Sequence, residues 1–141
     1  MIKLERSHVD FMIEHGVEGY PNEVCGLILG RYEGDSREAA EIRRCANLNT
    51  ERANDRFELD PRDMLSAEKY CREKGLEVIG IYHSHPDWPD EPSEFDRERA
   101  WPVYSYIIIS VRKGEEPVFR SWRLDEETAG FTSEEIEILE S

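Results

Sequence analysis

The stretch Leu76-Glu77-Val78-Ile79-Gly80-Ile81-Tyr82-His83-Ser84-His85-Pro86 changes character part-way along. Its first seven residues form an apolar run of strand length, which reads as a core strand. Its last four bring together two of the chain's four histidines, two positions apart. Residues two apart at a strand's end point to the same side, so both imidazoles can face one metal ion. Ser84, between them, points the other way and braces the strand end. Seven residues follow, from Pro86 to Pro92, and three of them are prolines, which stiffen the loop by fixing φ. Ser93-Glu94-Phe95-Asp96 then opens a short helix expected over 93–100. Positions i and i+3 share a helix face, so Ser93 and Asp96 can look back at the histidine pair.

Working outward, the chain alternates helices and strands without repeats or an obvious linker. Ile2 to Leu4 reads as a short strand. Val9, Met12, Ile13 and Val17 recur at helical spacing, with Gly16, Gly19 and Pro21 expected to end that helix. Val24 to Gly30 is a continuous apolar run, the pattern of a strand buried on both faces. Glu38 to Cys45 is a weaker strand beyond the turn residues 33–36, and 47–56 reads as a polar, mobile loop. Asp60 can cap a second helix, Pro61 suits its first position, and Met64, Ala67 and Cys71 form its inward stripe. Gly75 is its stop. Strands are expected over 104–111 and 118–124, joined as a hairpin. These elements predict an α/β fold in one domain, a mixed β-sheet flanked by helices.

The 141 residues suffice for one domain, and 38% hydrophobic content with 10% aromatics can build a core. The net charge of -14 argues against nucleic acid and anionic membrane surfaces as partners. From Asp125 to Ser141 there are seven acids and no base, which reads as an acidic, solvating C-terminal tail over 125–141 beyond a domain over 1–124. Phe131, Ile136, Ile138 and Leu139 leave open that the tail is instead a last docked strand. The charged start lacks the apolar run of a signal peptide, and the longest apolar stretch is too short to span a bilayer. The three cysteines are far apart and form no C-x-x-C pair. Neither a disulfide framework nor a thiolate zinc site is indicated, and a cytoplasmic location fits.

Two neutral imidazoles and a carboxylate suit Zn²⁺, and three protein ligands leave a fourth position for water, as in catalytic zinc sites. Zinc hydrolysis also needs a general base, commonly a glutamate on another element. Taken singly, the pieces have plainer readings: a surface histidine pair, a helix-capping serine, a solvated Glu23 at a strand end. His8 and His15 read as surface or boundary residues.

The combination, at fixed spacing, resembles the JAMM (MPN-plus) family of zinc metallopeptidases. The signature is complete as His83-Ser84-His85-Pro86, the loop to Pro92, then Ser93 and Asp96. The upstream Pro21-Asn22-Glu23-Val24-Cys25-Gly26 is similar to the compact bacterial form, of the type that releases cysteine from a sulfur carrier. Resemblance continues through 56–61, 80–83 and 101–110, so it covers roughly residues 1–124. It implies a fold related in outline to cytidine deaminases, with one Zn²⁺ per chain held by His83, His85 and Asp96. It further implies that Glu23 relays a proton from zinc-bound water to the leaving amine, and that Ser93 donates to the oxyanion. Pro86 would support the site with Ser84, and Cys25 would be core packing. Trp88, where relatives often carry a small residue, would shape the substrate groove or merely cover the loop.

The activity implied is hydrolysis of an amide or isopeptide bond at the C-terminus of a ubiquitin-like or sulfur-carrier protein. The slender substrate tail is expected to add to a sheet edge beside the zinc. The 45 residues after Asp96 leave little room for the extra segment with which eukaryotic deubiquitinases grip the distal ubiquitin. The alternative is a non-catalytic MPN-type zinc-binding interaction module. A zinc deaminase would need His-x-Glu followed by Pro-Cys-x-x-Cys, and neither occurs.

Overall fold

The computed structural model describes residues 1–140. In chain order the elements are β1 (Ile2–Glu5), α1 (Arg6–Gly19), β2 (Cys25–Glu33), β3 (Ser36–Cys45), α2 (Pro61–Lys74), β4 (Glu77–Pro86), α3 (Glu94–Arg99), β5 (Ser105–Val111), β6 (Val118–Leu124), β7 (Phe131–Glu134) and β8 (Ile136–Leu139). The strands form one mixed sheet in the order β7-β6-β5-β4-β2-β3-β1-β8. The long apolar strands are central, as expected of strands covered on both faces. β4 runs parallel to β5 and antiparallel to β2.

α1 covers one face of the sheet with a cluster that includes Val9, Met12, Ile28, Ile79, Tyr82, Ile107 and Ile109. α2 covers the other, with Leu27, Leu29, Ala67, Cys71, Val78, Ile81 and Tyr106. α2 forms for the reasons read from its sequence. Asp60 accepts a hydrogen bond from the Arg62 amide at 2.9 Å, Pro61 occupies the first position, and Gly75 closes the helix at φ 70°.

Along β4, Ile79 and Ile81 belong to opposite clusters although they are two apart. The cause is a bulge. Ile28 pairs with Gly80 and Leu29 with Val78, so Ile79 is the extra residue and the alternation flips there. After the flip, Ile81, His83 and His85 share the α2 face, while Tyr82 and Ser84 face α1.

Three expectations need correction. Gly16 does not end α1 but lies inside it, where a β-carbon would stand 3.2 Å from Val111 and 3.4 Å from Ser84. Val17, expected on the inward stripe, is 50% exposed, because Gly16 takes the buried place beside it. The 47–56 loop, expected to be mobile, is tied to the body by the Asn47 side chain and by Glu23 N–H to Ala53 C=O.

The acidic C-terminal segment carries β7 and β8, which pair with opposite edges of the sheet, β6 and β1. Only Glu135 separates them, so the sheet curls until its two edges are one residue apart. Phe131, Ile136 and Ile138 add partly buried apolar surface to the two clusters. Glu134 is buried, accepting from Ser121 Oγ at 2.7 Å and lying 3.5 Å from the Arg123 guanidinium. Ending the chain at Asp125 should therefore lower stability by about 3 kcal/mol or more, from lost apolar burial and two lost ladders. Urea unfolding checks this. An unchanged midpoint would show that these strands hold nothing together.

Candidate metal centre

β4 delivers His83 and His85 side by side, and the proline-stiffened loop returns the chain so that α3 faces them. His83 Nε2 and His85 Nε2 stand 3.1 Å apart, and Asp96 Oδ2 is 3.3 Å from the first and 3.0 Å from the second. Three ligand atoms thus form a near-equilateral triangle. All three residues are buried.

Each is held from behind. The carbonyl of Pro89 lies 2.8 Å from His85 Nδ1, which fixes the N–H there and leaves the Nε2 lone pair pointing inward. His83 stacks on Phe57, with ring centroids 4.4 Å apart, and its Nδ1 has no protein partner. Ser93 caps α3 reciprocally: its Oγ accepts from the Asp96 amide at 3.1 Å, and its own amide donates to Asp96 Oδ2 at 2.9 Å. Because that Oγ is already accepting, its O–H remains free to donate elsewhere. Ser84 lies on the opposite face, as its alternation requires, and its Oγ accepts from the Val24 amide at 2.9 Å. That bond ties β4 to the segment carrying Glu23. Pro86 ends β4 opposite Val111.

Glu23 precedes β2 and is buried, with one carboxylate oxygen lacking any protein partner. Ligand-type atoms of Glu23, His83 and His85 all lie within 4.8 Å of one another. The triangle with Asp96 is tighter still, at 3.0–3.3 Å, so two carboxylates, Asp96 and Glu23, lie within reach of the histidine pair. Burial pushes the Glu23 carboxyl up to about 8, with Asp96 adding to the rise and His85 opposing it. Burial also holds the His83 imidazole below its usual value against the pull of Asp96. For His85, burial is outweighed by Asp96, which raises it. Burial would raise Asp96, yet the two imidazoles hold it well below the usual carboxylate range.

The donor chemistry fits a divalent metal. Zn–N and Zn–O bonds of about 2.0–2.1 Å in a tetrahedron put neighbouring ligand atoms about 3.3 Å apart, close to the sides of this triangle. Two inward lone pairs and a carboxylate oxygen packed this closely repel one another unless a cation or proton lies between them. Cys25 and Cys45 do not join in: burial pushes both thiols up to about 12, so neither is a thiolate at neutral pH.

Two clefts flank the triangle, separated by Phe95, which lines both. One, of about 470 Å³, is mostly apolar and includes Phe57, Leu59, Met64, His83, Asp96 and Tyr104. The other, of about 500 Å³, includes Glu23, Arg56, His85, Trp88 and Ser93. Trp88 is 58% exposed at the second cleft. Neither is a sheet edge: β4 is flanked by β2 and β5, so the expected strand addition beside the histidines has no open ladder to join.

Residues 5–125 match the family described as prokaryotic homologs of the JAB domain. The chain belongs to that family. Its JAB domain is 37% identical to the desampylase of Haloferax volcanii over 106 residues, 72% of this chain and 74% of the relative. It is 28% identical to the CysO-cysteine peptidase of Mycobacterium tuberculosis over 133 residues, 94% of this chain and 87% of the relative. The solution structure of a Desulfitobacterium hafniense protein superposes with a TM-score of 0.89 at 36% identity, covering 100% of this chain and 94% of that one. The coarse reading of the sequence, a compact prokaryotic member of this family with an α/β fold, is thereby shown.

Sequence reading missed the residues that hold this JAB domain's site in place. Asn47 makes four hydrogen bonds: its Nδ2 donates to the carbonyls of Glu23 (3.1 Å) and Arg56 (3.0 Å), and its Oδ1 accepts from the amides of Asn49 (2.9 Å) and Glu58 (3.0 Å). Phe57 and the Pro89 carbonyl were equally hidden. Asn47 and Phe57 act on residues distant in sequence, and the bond from Pro89, four residues beyond His85, is made by a backbone carbonyl that any residue carries. Replacing Asn47 by alanine should cost about 2–4 kcal/mol, because several partly buried backbone groups lose their partners. A urea midpoint equal to wild type would show that the loop does not depend on it.

Proposed function

We propose that the protein is a zinc-dependent peptidase that hydrolyses an amide or isopeptide bond at the C-terminus of a ubiquitin-like or sulfur-carrier protein. The observation that carries this reading is the 3.0–3.3 Å triangle of His83 Nε2, His85 Nε2 and Asp96 Oδ2 with the unpaired Glu23 carboxylate beside it. The names of two relatives, a desampylase and a CysO-cysteine peptidase, support the substrate class. A cytoplasmic setting accords with three free cysteines, and no helix among the described residues is long and apolar enough to cross a membrane.

His83, His85 and Asp96 would hold one Zn²⁺ per chain, which when bound supplies a Lewis acid that polarises a carbonyl and acidifies water. Glu23 takes a proton from the attacking water as its oxygen bonds to the scissile carbonyl carbon. It returns that proton to the nitrogen as the C–N bond breaks. A carboxylate whose pKa burial has raised toward neutrality is matched to both steps. The Ser93 hydroxyl donates to the developing oxyanion, a contact worth roughly 3 kcal/mol in comparable sites. Ser84 and Pro86 fix the end of β4. The leaving amine lies on the side where Glu23 can reach it, in the cleft with Trp88 at its mouth. The carrier's tail then occupies the apolar cleft.

Zinc content tests the ligands. Wild type purified from zinc-replete medium should carry about one zinc per chain, and His85→Ala or Asp96→Ala should lose most of it. Elemental analysis finding no divalent metal in wild type would overturn the assignment.

Turnover tests the base. Glu23→Gln should keep its zinc and fold but lose about 10²- to 10⁴-fold in hydrolysis of a ubiquitin-like carrier ending in Gly-Gly fused to a peptide. Ser93→Ala should also keep zinc and lose roughly 10²- to 10³-fold. The second reading, a non-catalytic zinc-binding interaction module, is favoured if the metallated wild type shows no cleavage for Glu23→Gln to diminish.

A further inference from the structure

Apart from Glu23, whose carboxylate is itself unpaired, the charged residues around the leaving-group cleft are matched, with one exception. Arg52 pairs with Asp55, Glu94 pairs with Arg97 at 2.9 Å, and Glu91 lies 4.0 Å from Arg120. Arg56 lines the same cleft and has no carboxylate partner among the described residues, in a chain with 32 acids. Its guanidinium is instead laid over the ring of Phe95, 4.6 Å from the centroid. Arg99 stacks on that ring as well, at 4.5 Å, but lines the apolar cleft. Arg56 is therefore a held cation, its planar face on an aromatic ring and its N–H edge free to donate.

Its neighbours specify which part of a substrate it meets. Glu23, which must reach the leaving nitrogen, lines this cleft together with Arg56. Asn47 binds the carbonyls of both Glu23 and Arg56, so base and guanidinium are set by one side chain. When a single amino acid is the leaving group, its α-carboxylate is two bonds from the nitrogen Glu23 protonates. When the leaving group is a lysine side chain of a protein, no such anion exists.

We propose that Arg56 binds the free α-carboxylate of the departing residue, and that the protein prefers carriers extended by one amino acid over carriers joined to lysine side chains. A bidentate guanidinium–carboxylate contact sets both affinity and orientation, and it holds the C–N bond against Glu23. A neutral amide in the same place leaves Arg56 unmatched. This inference rests on the peptidase reading above and adds to it the substrate's chemical class.

The test uses the zinc-loaded full chain and a ubiquitin-like carrier ending in Gly-Gly, extended by alanine, by alaninamide, or by an isopeptide-linked lysine peptide. Wild type should cleave the free acid at least about 10-fold faster in kcat/KM than either of the others. Arg56→Gln should bring the acid-to-amide ratio to about one, and Arg56→Lys should restore part of it. Arg52→Gln, whose charge is already matched by Asp55, should keep the ratio. A wild-type ratio near one, or a ratio that survives Arg56→Gln, overturns the role of Arg56 and leaves the peptidase reading standing. No cleavage of any of the three by the metallated wild type overturns that reading itself, and this inference with it.

Discussion

A single extra residue in β4 determines on which face the histidine pair lies. Side chains alternate along a strand, so inserting Ile79 opposite the Ile28–Leu29 step transfers every later side chain to the other face. With the bulge, His83 and His85 emerge beside Ile81 on the α2 face, where α3 and the 47–56 loop can reach them. Without it they would point at α1, where Gly16 lets the helix approach so closely that even a β-carbon crowds Val111. That face is sealed. Ser84 is small enough to occupy it, and its hydroxyl is used by the Val24 amide. The same strand thus packs a helix on one face and presents two imidazoles on the other.

The second feature is a pair of carboxylates beside the histidines that are treated in opposite ways. Asp96 is pinned by the Ser93 amide and by both histidines, and the imidazoles stabilise its charge. Glu23 is treated in the opposite way. Its backbone is fixed from both sides, through Ala53 and Asn47, while its carboxylate has an oxygen with no partner and a raised pKa. Two acids in one site therefore differ because their environments push their pKa values apart, which is the division of labour that the proposed mechanism uses. The chain's large negative charge does not blur this difference, because the other acids lining the cleft with Glu23 are matched by arginines.

Much of this was legible from local sequence. The His-x-His pair on a strand, the proline-stiffened loop and the Ser-x-x-Asp start of α3 are short-range patterns, and the structure brings all four side chains together. The Asp60-Pro61 start and Gly75 stop of α2 were legible for the same reason. What escaped depends on contacts between distant residues. The bulge at Ile79 has no marker in β4 itself, since it is a matter of register with β2. The polarity of 47–56 reads as solvent exposure, yet Asn47 spends its hydrogen bonds on backbone up to 24 residues away. The acids of 126–140 dominate the composition there, while Phe131, Ile136 and Ile138 direct the packing.

The position of the histidine strand inside the sheet limits what can dock beside it. The edge strands are β7 and β8, and the histidine strand lies between two neighbours, β2 and β5. In the proposed reading, a tail bound beside the histidines is read by side chains lining the two clefts rather than by extending that strand's ladder. Those side chains come mainly from 52–59 and 88–96, the two segments that also position Glu23 and Asp96. The roles proposed for Arg56 and Glu23 therefore share their supports: a change at Asn47 moves both residues together, and a change in the proline loop moves the Pro89 carbonyl that orients His85. If the proposed peptidase reading holds, the preferred leaving group can change without disturbing the histidine–aspartate triangle only at side chains that end in a cleft and support nothing behind them, and Arg56 is such a position.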